Sequence, residues 1–399
     1  MKKILMVAGA KKNLGDDLFI YISANRYKDT KFYLCSKTKY NKNSLKLNNL
    51  KLINPLIVKE LDKISHNLNM PKISCNNIIS KSCDAMILIG GSMFMENDDI
   101  ETYKKSLSDR FDHIKKDYYI LGSNFGPYIR EEYYNIHKEV FENAKDVCFR
   151  DEYSYNIFKD LKNIRYASDI VFSMDTSNIV KVENKRVVIS IINLKSRNGL
   201  AKHKEIYENK MRRTIEYFLC AGYGVTLMSF CSFEGDEEAI DSILKLVAGK
   251  DKVEVYKYDG NIHEALNVIA SCKIVIAARF HSMILGLLMG KTVIPMIYNE
   301  KTLNVMNDIG FKGKYVKIEE LSDFNIDKFT EKDLNYKHDI TKQIKDSKKQ
   351  FEILDMCLKN NKSKFTQIKR YIRINKYLQI KRYREIKKHM HIKHKISNK

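Results

Sequence analysis

The sequence predicts an α/β protein in which two Rossmann-like domains face each other across a cleft, followed by a basic helical C-terminal tail. Three observations support this fold class. Short apolar runs of strand length alternate with amphipathic segments of helix length. Most of the runs are continuously apolar, as strands buried on both faces of a parallel sheet must be. The chain has 399 residues, of which 44% are hydrophobic, so it is long enough for two or three domains with separate cores.

Ten strands are predicted, five in each half of the chain. Those of the first half are residues 4–8, 31–35, 85–89, 118–122 and 146–149, and those of the second half are residues 186–191, 224–228, 252–256, 273–277 and 292–296. Residues 252–256 alternate between apolar and polar side chains, which is typical of an edge strand. The polar, weakly periodic segment 174–185 predicts a linker. We therefore assign the domains to residues 1–180 and 181–360, and the tail to residues 361–399.

The net charge favours anionic partners, and most of it lies in the tail. The chain has 71 Lys and Arg against 49 Asp and Glu, a net charge of +22, and residues 361–399 alone carry 14 basic residues and one acid. Aromatic and aliphatic residues interleave with these basic residues at partly helical spacing, which favours a helix on an anionic membrane surface. A merely solvated end remains an alternative, and nucleic-acid binding is disfavoured.

The expected location is the cytoplasm, with peripheral attachment at the inner membrane face. Eight scattered cysteines without a CxxC pair favour a reducing compartment, and no segment reads as a signal peptide or a membrane span.

Candidate site residues lie where strands are predicted to end, because ligands of parallel α/β folds bind beyond the carboxyl ends of the strands. Gly15 and Asp16 follow the first strand, in a turn whose backbone N–H groups can bind an anion. Gly91 and Asn124 follow two further strands and are expected to line the same cleft. Helix capping by Asp16 and ordinary turn chemistry are the alternative interpretations.

Cationic side chains stand at two more strand ends. Arg150 follows residues 146–149, and its planar guanidinium can hold a carboxylate or phosphate through two bonds. A salt bridge to Asp151 or to a nearby helix is the alternative. Arg279 and His281 open a helix after residues 273–277, where the helix N-terminus and the arginine form an anion site and the imidazole can transfer a proton. Lys301 is a third candidate cation, although by itself it would be interpreted as a solvated surface lysine.

Several common motifs are absent from the sequence. It has no GxGxxG or Walker A loop, no HExxH or His/Cys cluster and no GxSxG elbow. These absences disfavour dinucleotide binding, P-loop phosphoryl transfer and a hydrolase elbow, and predict no essential metal.

Taken in order, these segments resemble the polysaccharide pyruvyl transferase family over about residues 3–310. The resemblance is carried by Asn13-Leu14-Gly15-Asp16, Gly90-Gly91, residues 122–127, Arg150 to Ser154, Asp169, Arg279-Phe280-His281, Pro295, Tyr298 and Lys301. Phe280 stands where leucine is more usual. The resemblance implies a GT-B-like arrangement and transfer of a pyruvyl group from phosphoenolpyruvate to a sugar of a cell-surface polysaccharide or its lipid-linked precursor, forming a ketal. It also implies that Arg279 and His281 contact the donor.

The chemistry of such a transfer suggests roles for the candidate residues. The donor carries a carboxylate and a phosphate, so it needs at least two cations, which Arg150 and Arg279 can supply. His281 is the candidate general acid, and Asp16 or Asp169 the candidate base. Phosphoenolpyruvate is a substrate here, and no cofactor is expected. Two alternatives remain: a sugar-nucleotide-dependent glycosyltransferase of similar shape, and a non-catalytic protein that binds membranes or nucleic acid.

Overall fold

Two parallel β-sheets organise the computed structural model, which describes residues 1–37, 47–56, 74–96, 99–111, 116–195, 197 and 199–358. Met1–Gln350 forms one compact unit that contains both sheets. A second unit begins at Phe351 and contains a helix at Glu352–Leu358. The predicted basic tail, residues 361–399, lies outside the described residues.

The first sheet has the strand order β3-β2-β1-β4-β5-β6-β7, and all its neighbouring strands are parallel. Its strands are β1 (Lys2–Val7), β2 (Thr30–Cys35), β3 (Leu50–Ile53), β4 (Ala85–Ile89), β5 (Tyr118–Ser123), β6 (Asp146–Phe149) and β7 (Ile164–Tyr166). The helices of this half are α1 (Leu14–Arg26), α2 (Cys75–Ser80), α3 (Ile100–Phe111), α4 (Glu131–Asn143) and α5 (Glu152–Phe158).

The second sheet repeats the design with the order β10-β9-β8-β11-β12-β13. Its strands are β8 (Arg186–Ser190), β9 (Gly224–Ser229), β10 (Val253–Lys257), β11 (Ile274–Ala277), β12 (Thr292–Ile297) and β13 (Val316–Lys317). The helices of this half are α6 (Lys204–Cys220), α7 (Asp236–Leu244), α8 (Ile262–Ala270), α9 (Phe280–Leu288), α10 (Glu300–Asp308), α11 (Glu331–Leu334) and α12 (Thr341–Ser347).

The predicted fold class is confirmed, and each of the ten predicted strands is present with ends shifted by at most two residues. The strand at Val253–Lys257 lies at a sheet edge, as its alternating pattern predicts. The sequence missed β3, β7 and β13, which are short edge strands of four, three and two residues. Such strands carry too few consecutive apolar residues to stand out from loops. The domain boundaries at residues 180 and 360 stay a prediction.

Burial explains why the central strands could be predicted from the sequence. Every residue of β4, β5 and β12 is buried, because helices cover both faces of each sheet. In each sheet the strand order reverses next to the first strand of that sheet, between β1 and β4 and between β8 and β11. These reversals open a crevice at the carboxyl ends of the strands, and there the two sheets face each other.

The chain returns to the first sheet before the compact unit ends. The Gln350 side chain accepts a hydrogen bond from the Gly122 N–H at 2.9 Å and donates to the Ala167 carbonyl at 2.7 Å. Asp346 accepts from the Ser168 N–H at 2.8 Å. Residues after the second sheet thus complete the first. Among the described residues, none of the helices has both the length and the apolar character required of a membrane span.

Candidate active site

A cleft of about 1050 Å³ lies between the carboxyl ends of the two sheets. Seven of the nine predicted site residues line it: Asp16, Gly91, Asn124, Arg150, Arg279, His281 and Lys301. The other two, Gly15 and Asp169, lie directly behind the lining and contact its side chains. Helices that begin at the cleft are capped by Asn13, Asp151 and Asn299, each of which accepts a hydrogen bond from a backbone N–H in the first turn.

Arg150 is a buried cation held in a fixed orientation. Its Nη1 donates to Asp169 at 3.0 Å and its Nη2 donates to Asn124 Oδ1 at 2.8 Å. Its guanidinium carbon lies 4.4 Å from the centre of the Phe280 ring. A Cβ on Gly91 would lie 2.7 Å from Arg150 Nη1, so only glycine leaves room for the guanidinium there. The salt bridge therefore goes to Asp169 rather than to the neighbouring Asp151.

His281 lies on the second-sheet side of the cleft, against α1 of the first half. A Cβ on Gly15 would come within 2.1 Å of His281 Nδ1, so the imidazole packs against the glycine backbone. His281 Nε2 lies 3.9 Å from Asp169 and has no hydrogen-bond partner among the described residues. Burial lowers the pKa of His281 to about 4, and the cations Arg150 and Lys301 add to this effect. The imidazole is therefore neutral at pH 7.

Among the carboxylates that line the cleft, Asp16 has the pKa that is shifted furthest from its ordinary value. Burial and the nearby Glu234 carboxylate raise the pKa of Asp16 to about 6, although Arg150, Lys301 and Arg279 lower it. A group with this pKa can accept a proton near neutral pH. The helix itself is capped by Asn13, whose side chain accepts from the Gly15 N–H at 3.0 Å, so capping does not account for Asp16.

Two carboxylates neutralise the charge of Arg279, which its position in the sequence did not reveal. Its Nε and Nη2 donate to the fully buried Asp236, and its Nη1 donates to Glu234. These two carboxylates keep the pKa of Arg279 above its usual value, even though burial acts in the opposite direction.

Lys301 is a cation of the cleft whose ammonium group donates to a neutral side chain. Its Nζ donates to Ser92 Oγ at 2.6 Å. Burial lowers the pKa of Lys301, and Arg150 and Arg197 lower it further. Tyr298 lines the cleft beside it. Burial raises the pKa of the Tyr298 hydroxyl, but the cations Lys301, Arg197 and Arg279 outweigh burial, so this pKa lies below its ordinary value.

Arg197, Glu234 and Asp236 are site residues that the sequence did not reveal. Arg197 follows β8, which borders the reversal of the second sheet, and the two acids follow β9, the next strand outward. Arg197 Nη2 donates to Glu234 at 2.9 Å, and its guanidinium carbon lies 4.6 Å from the centre of the Tyr298 ring. The acidic run Glu234-Gly235-Asp236-Glu237-Glu238 after a strand was the signal that could have located the two acids. Among the described residues, no three His, Cys, Asp or Glu side chains come together as metal ligands.

The order of these segments along the chain matches a known family. A family model for polysaccharide pyruvyl transferases covers residues 7–300, which contain nearly all of the cleft described above except Lys301 and its neighbours. The chain belongs to this family. The predicted resemblance is thereby confirmed.

A curated relative supports the family assignment. The amylovoran biosynthesis protein AmsJ of Erwinia amylovora is 25% identical to the chain over 270 residues. The match covers 62% of this chain and 64% of AmsJ, so it spans less than two thirds of the length of that relative.

Solved structures support the GT-B-like fold of this family member. S. aureus MnaA, in a co-structure with UDP, has a TM-score of 0.55 at 10% identity, covering 90% of this chain and 97% of that chain. A putative UDP-N-acetylglucosamine 2-epimerase from Listeria monocytogenes has a TM-score of 0.54 at 9% identity, covering 90% of this chain and 98% of that chain. At such identities the likeness shows the fold alone.

Proposed function

We propose that this protein transfers a pyruvyl group from phosphoenolpyruvate to a sugar of a cell-surface polysaccharide or its lipid-linked precursor, forming a ketal. Membership of the family and the match to AmsJ, whose name assigns it to amylovoran biosynthesis, support pyruvyl transfer to a polysaccharide in general. The identity of the donor and the formation of a ketal are our inference from the chemistry of the cleft.

One observation carries the proposal: several cations and an imidazole line a single cleft. Arg150 and Lys301 lie near enough to His281 to lower its pKa, and Arg197 and Arg279 line the same cleft. Phosphoenolpyruvate carries a carboxylate and a phosphate close together, so it needs more than one cationic group. The cleft is also much larger than this donor, which leaves room for a sugar acceptor.

The proposed reaction joins two sugar hydroxyls to one carbon of the donor. The first hydroxyl oxygen attacks the carbon that carries the phosphate, while the adjacent methylene carbon takes up a proton and becomes a methyl group. The second hydroxyl oxygen then displaces phosphate from the same carbon, which completes the ketal. Each hydroxyl gives up its proton, so one proton is consumed at the methyl group and one is released with the phosphate.

His281 is the proposed acid, and Asp16 is the proposed base. With a pKa of about 4 the imidazole is neutral at pH 7, but the negative charges of a bound donor would offset Arg150 and Lys301 and raise this pKa. Asp169 is already bonded to Arg150 and lies 3.9 Å from His281, so we assign it to orienting both side chains. Asp16 lines the cleft with a pKa of about 6, which suits acceptance of a hydroxyl proton.

The decisive experiment incubates the full chain with phosphoenolpyruvate and a panel of candidate acceptors and follows phosphate release. We expect release that depends on both the donor and an acceptor, with no metal or cofactor added. Sugar nucleotides tested against the same acceptors provide the comparison. Turnover of a sugar nucleotide, without turnover of phosphoenolpyruvate, would support the glycosyltransferase alternative instead.

Replacement of Gly15 by alanine should abolish most of this activity with little loss of stability. The added Cβ would lie 2.1 Å from His281 Nδ1, so the imidazole must leave its present position. Alanine favours a helix by about 1 kcal/mol over glycine, which offsets part of the strain. We expect turnover to fall by about 100-fold, the lower end of what a misplaced proton donor costs, as measured by phosphate release.

Gly224→Ala is the matched control for Gly15→Ala. Its Cβ would lie 3.7 Å from the nearest side-chain atom, which is ordinary contact, and Gly224 does not line the cleft. Wild-type turnover in the Gly15 variant would show that the position of the imidazole does not matter for the reaction.

We further propose that residues 361–399 attach the protein to the inner face of an anionic membrane. This segment carries 14 basic residues, and each basic residue near such a surface contributes about 1 kcal/mol. Deletion of residues 361–399 should release the protein from anionic vesicles while leaving turnover of a soluble acceptor unchanged, as tested by co-sedimentation. Vesicles of zwitterionic lipid are the control. Equal co-sedimentation of the truncated and full-length proteins would contradict a membrane role.

A further inference from the structure

Glu234 stands at the point where three donors of the cleft converge. Its Oε1 accepts a hydrogen bond from Asn13 Nδ2 at 2.9 Å. Its Oε2 accepts from Arg197 Nη2 at 2.9 Å and from Arg279 Nη1. Two guanidinium groups and an amide on one carboxylate are the contacts with which proteins hold the anionic group of a ligand.

The two carboxylates that contact Arg279 differ in how firmly they are held. The Asp236 side chain is fully buried and accepts hydrogen bonds from the backbone N–H groups of Phe230 and Cys231, each at 3.0 Å. The Glu234 side chain is 37% exposed and ends a single turn of 3-10 helix at Ser232–Glu234. Asp236 is therefore the buried, firmly held partner of Arg279, and Glu234 is the partner that reaches solvent.

We propose that Glu234 is an internal stand-in for a ligand, and that a carboxylate or phosphate group of the substrate replaces it on Arg197, Arg279 and Asn13. The exchange substitutes one anion for another, so it leaves no buried arginine without a counter-charge. It explains how Arg279 can serve in binding although two carboxylates already neutralise it. It also makes Arg197 a direct ligand of the substrate.

The stand-in divides the cleft into two anion subsites. Arg197, Arg279 and the Asn13 amide form the first, which Glu234 fills. Lys301 and Ser92, which are hydrogen-bonded to each other, form the second. A small molecule with two separate anionic groups matches this arrangement. The inference relies on the proposed function only for the choice of phosphoenolpyruvate as that molecule.

The test is to replace Glu234 by glutamine and measure anion binding by calorimetry, with phosphoenolpyruvate and inorganic phosphate as probes. Glutamine keeps the length of the side chain but competes less for the guanidinium groups, because hydrogen bonds between ionised partners are roughly twice as strong as neutral ones. We expect both probes to bind about tenfold more tightly than to the wild type, which corresponds to removal of one such competing interaction. If Glu234 instead positions the two arginines for the ligand, its loss must weaken binding.

Glu237→Gln is the matched control, because it removes the same charge three residues along the chain. Glu237 pairs with Lys257 at 3.3 Å and does not line the cleft, so this variant should bind both probes as the wild type does. Unchanged or weaker binding of both probes by the Glu234 variant would overturn the inference.

A second variant keeps the inference testable if Glu234→Gln folds poorly. Arg197→Met should weaken phosphate binding by at least about tenfold if Arg197 contacts the ligand, and should leave it unchanged if Arg197 serves only to pair with Glu234. The rise in unfolding temperature caused by phosphate reports the same affinities and checks the fold of each variant. Tighter anion binding without turnover would count against phosphoenolpyruvate as the donor, whereas turnover without the gain in affinity would count against the role of Glu234.

Discussion

Replacement of His281 by glutamine should lower kcat by about 100- to 10,000-fold, the range expected when a general acid is removed. The imidazole lies between Gly15 and Asp169, at the edge of the cleft beside Arg150 and Lys301, and no other histidine lines that cleft among the described residues. The KM for the donor should change little, because the four cations of the cleft, Arg150, Arg197, Arg279 and Lys301, remain. Phosphate release at saturating donor measures the effect, and unaltered turnover would remove His281 from the mechanism.

The control for this variant is His203→Gln, which changes a histidine outside the cleft and should leave turnover unchanged. Stability supplies a second readout. Burial lowers the pKa of folded His281 to about 4, below the ordinary value of 6.5, so the unfolded chain binds more protons in this range. The stabilisation due to the neutral imidazole is present above about pH 6.5 and is lost as the pH falls toward 4. The glutamine variant should lack this loss.

Replacement of Arg150 by lysine should lower kcat/KM by about 100-fold, mainly through a higher donor KM. Lysine keeps the positive charge beside Asp169, so the buried carboxylate stays paired and the fold should persist. It cannot reproduce the guanidinium fork that contacts Asp169 and Asn124 at the same time, nor the stacking on Phe280. Initial rates over a range of donor concentrations separate KM from kcat.

The chain contains a closely matched control for Arg150→Lys. Arg165 also holds a buried aspartate, Asp146, through two nitrogens, at 2.6 and 2.8 Å, but it does not line the cleft. Arg165→Lys should therefore affect stability to a similar extent without changing the donor KM. Equal kinetic effects of the two substitutions would assign Arg150 to the fold rather than to the donor.

The positions of the central strands could be predicted because burial acts on every residue of such a strand. β4, β5 and β12 are each buried along their whole length, and only a continuous apolar run satisfies that condition. The short edge strands β3, β7 and β13 pair along one side only and need no such run. They were missed for that reason.

The site was predictable where it follows directly from topology. Arg150 comes immediately after β6, and Arg279 and His281 come after β11, so the carboxyl-end rule for parallel sheets assigns all three to one region. The same rule did not identify Arg197 or Glu234, because they come several residues after the ends of β8 and β9 rather than directly at them. The acidic run that begins at Glu234 was a signal for that residue, whereas nothing in its local sequence distinguishes Arg197 from a solvated charge.

By itself, the sequence determined the α/β class, the positions of ten strands, the family, and the strand ends that line the cleft. These properties depend on local burial and on short motifs, and both can be recognised from residues that are close together in the sequence. Only the tertiary structure decided which charges meet. Asn13 and Glu234 are 221 residues apart in the sequence and contact each other across the cleft. Asp236, which precedes Arg279 by 43 residues, neutralises its charge, and the Gly15 backbone packs against His281. Such pairings depend on loop paths and on how the two sheets face each other, and electrostatic effects at a site follow from distance in space rather than from separation along the chain.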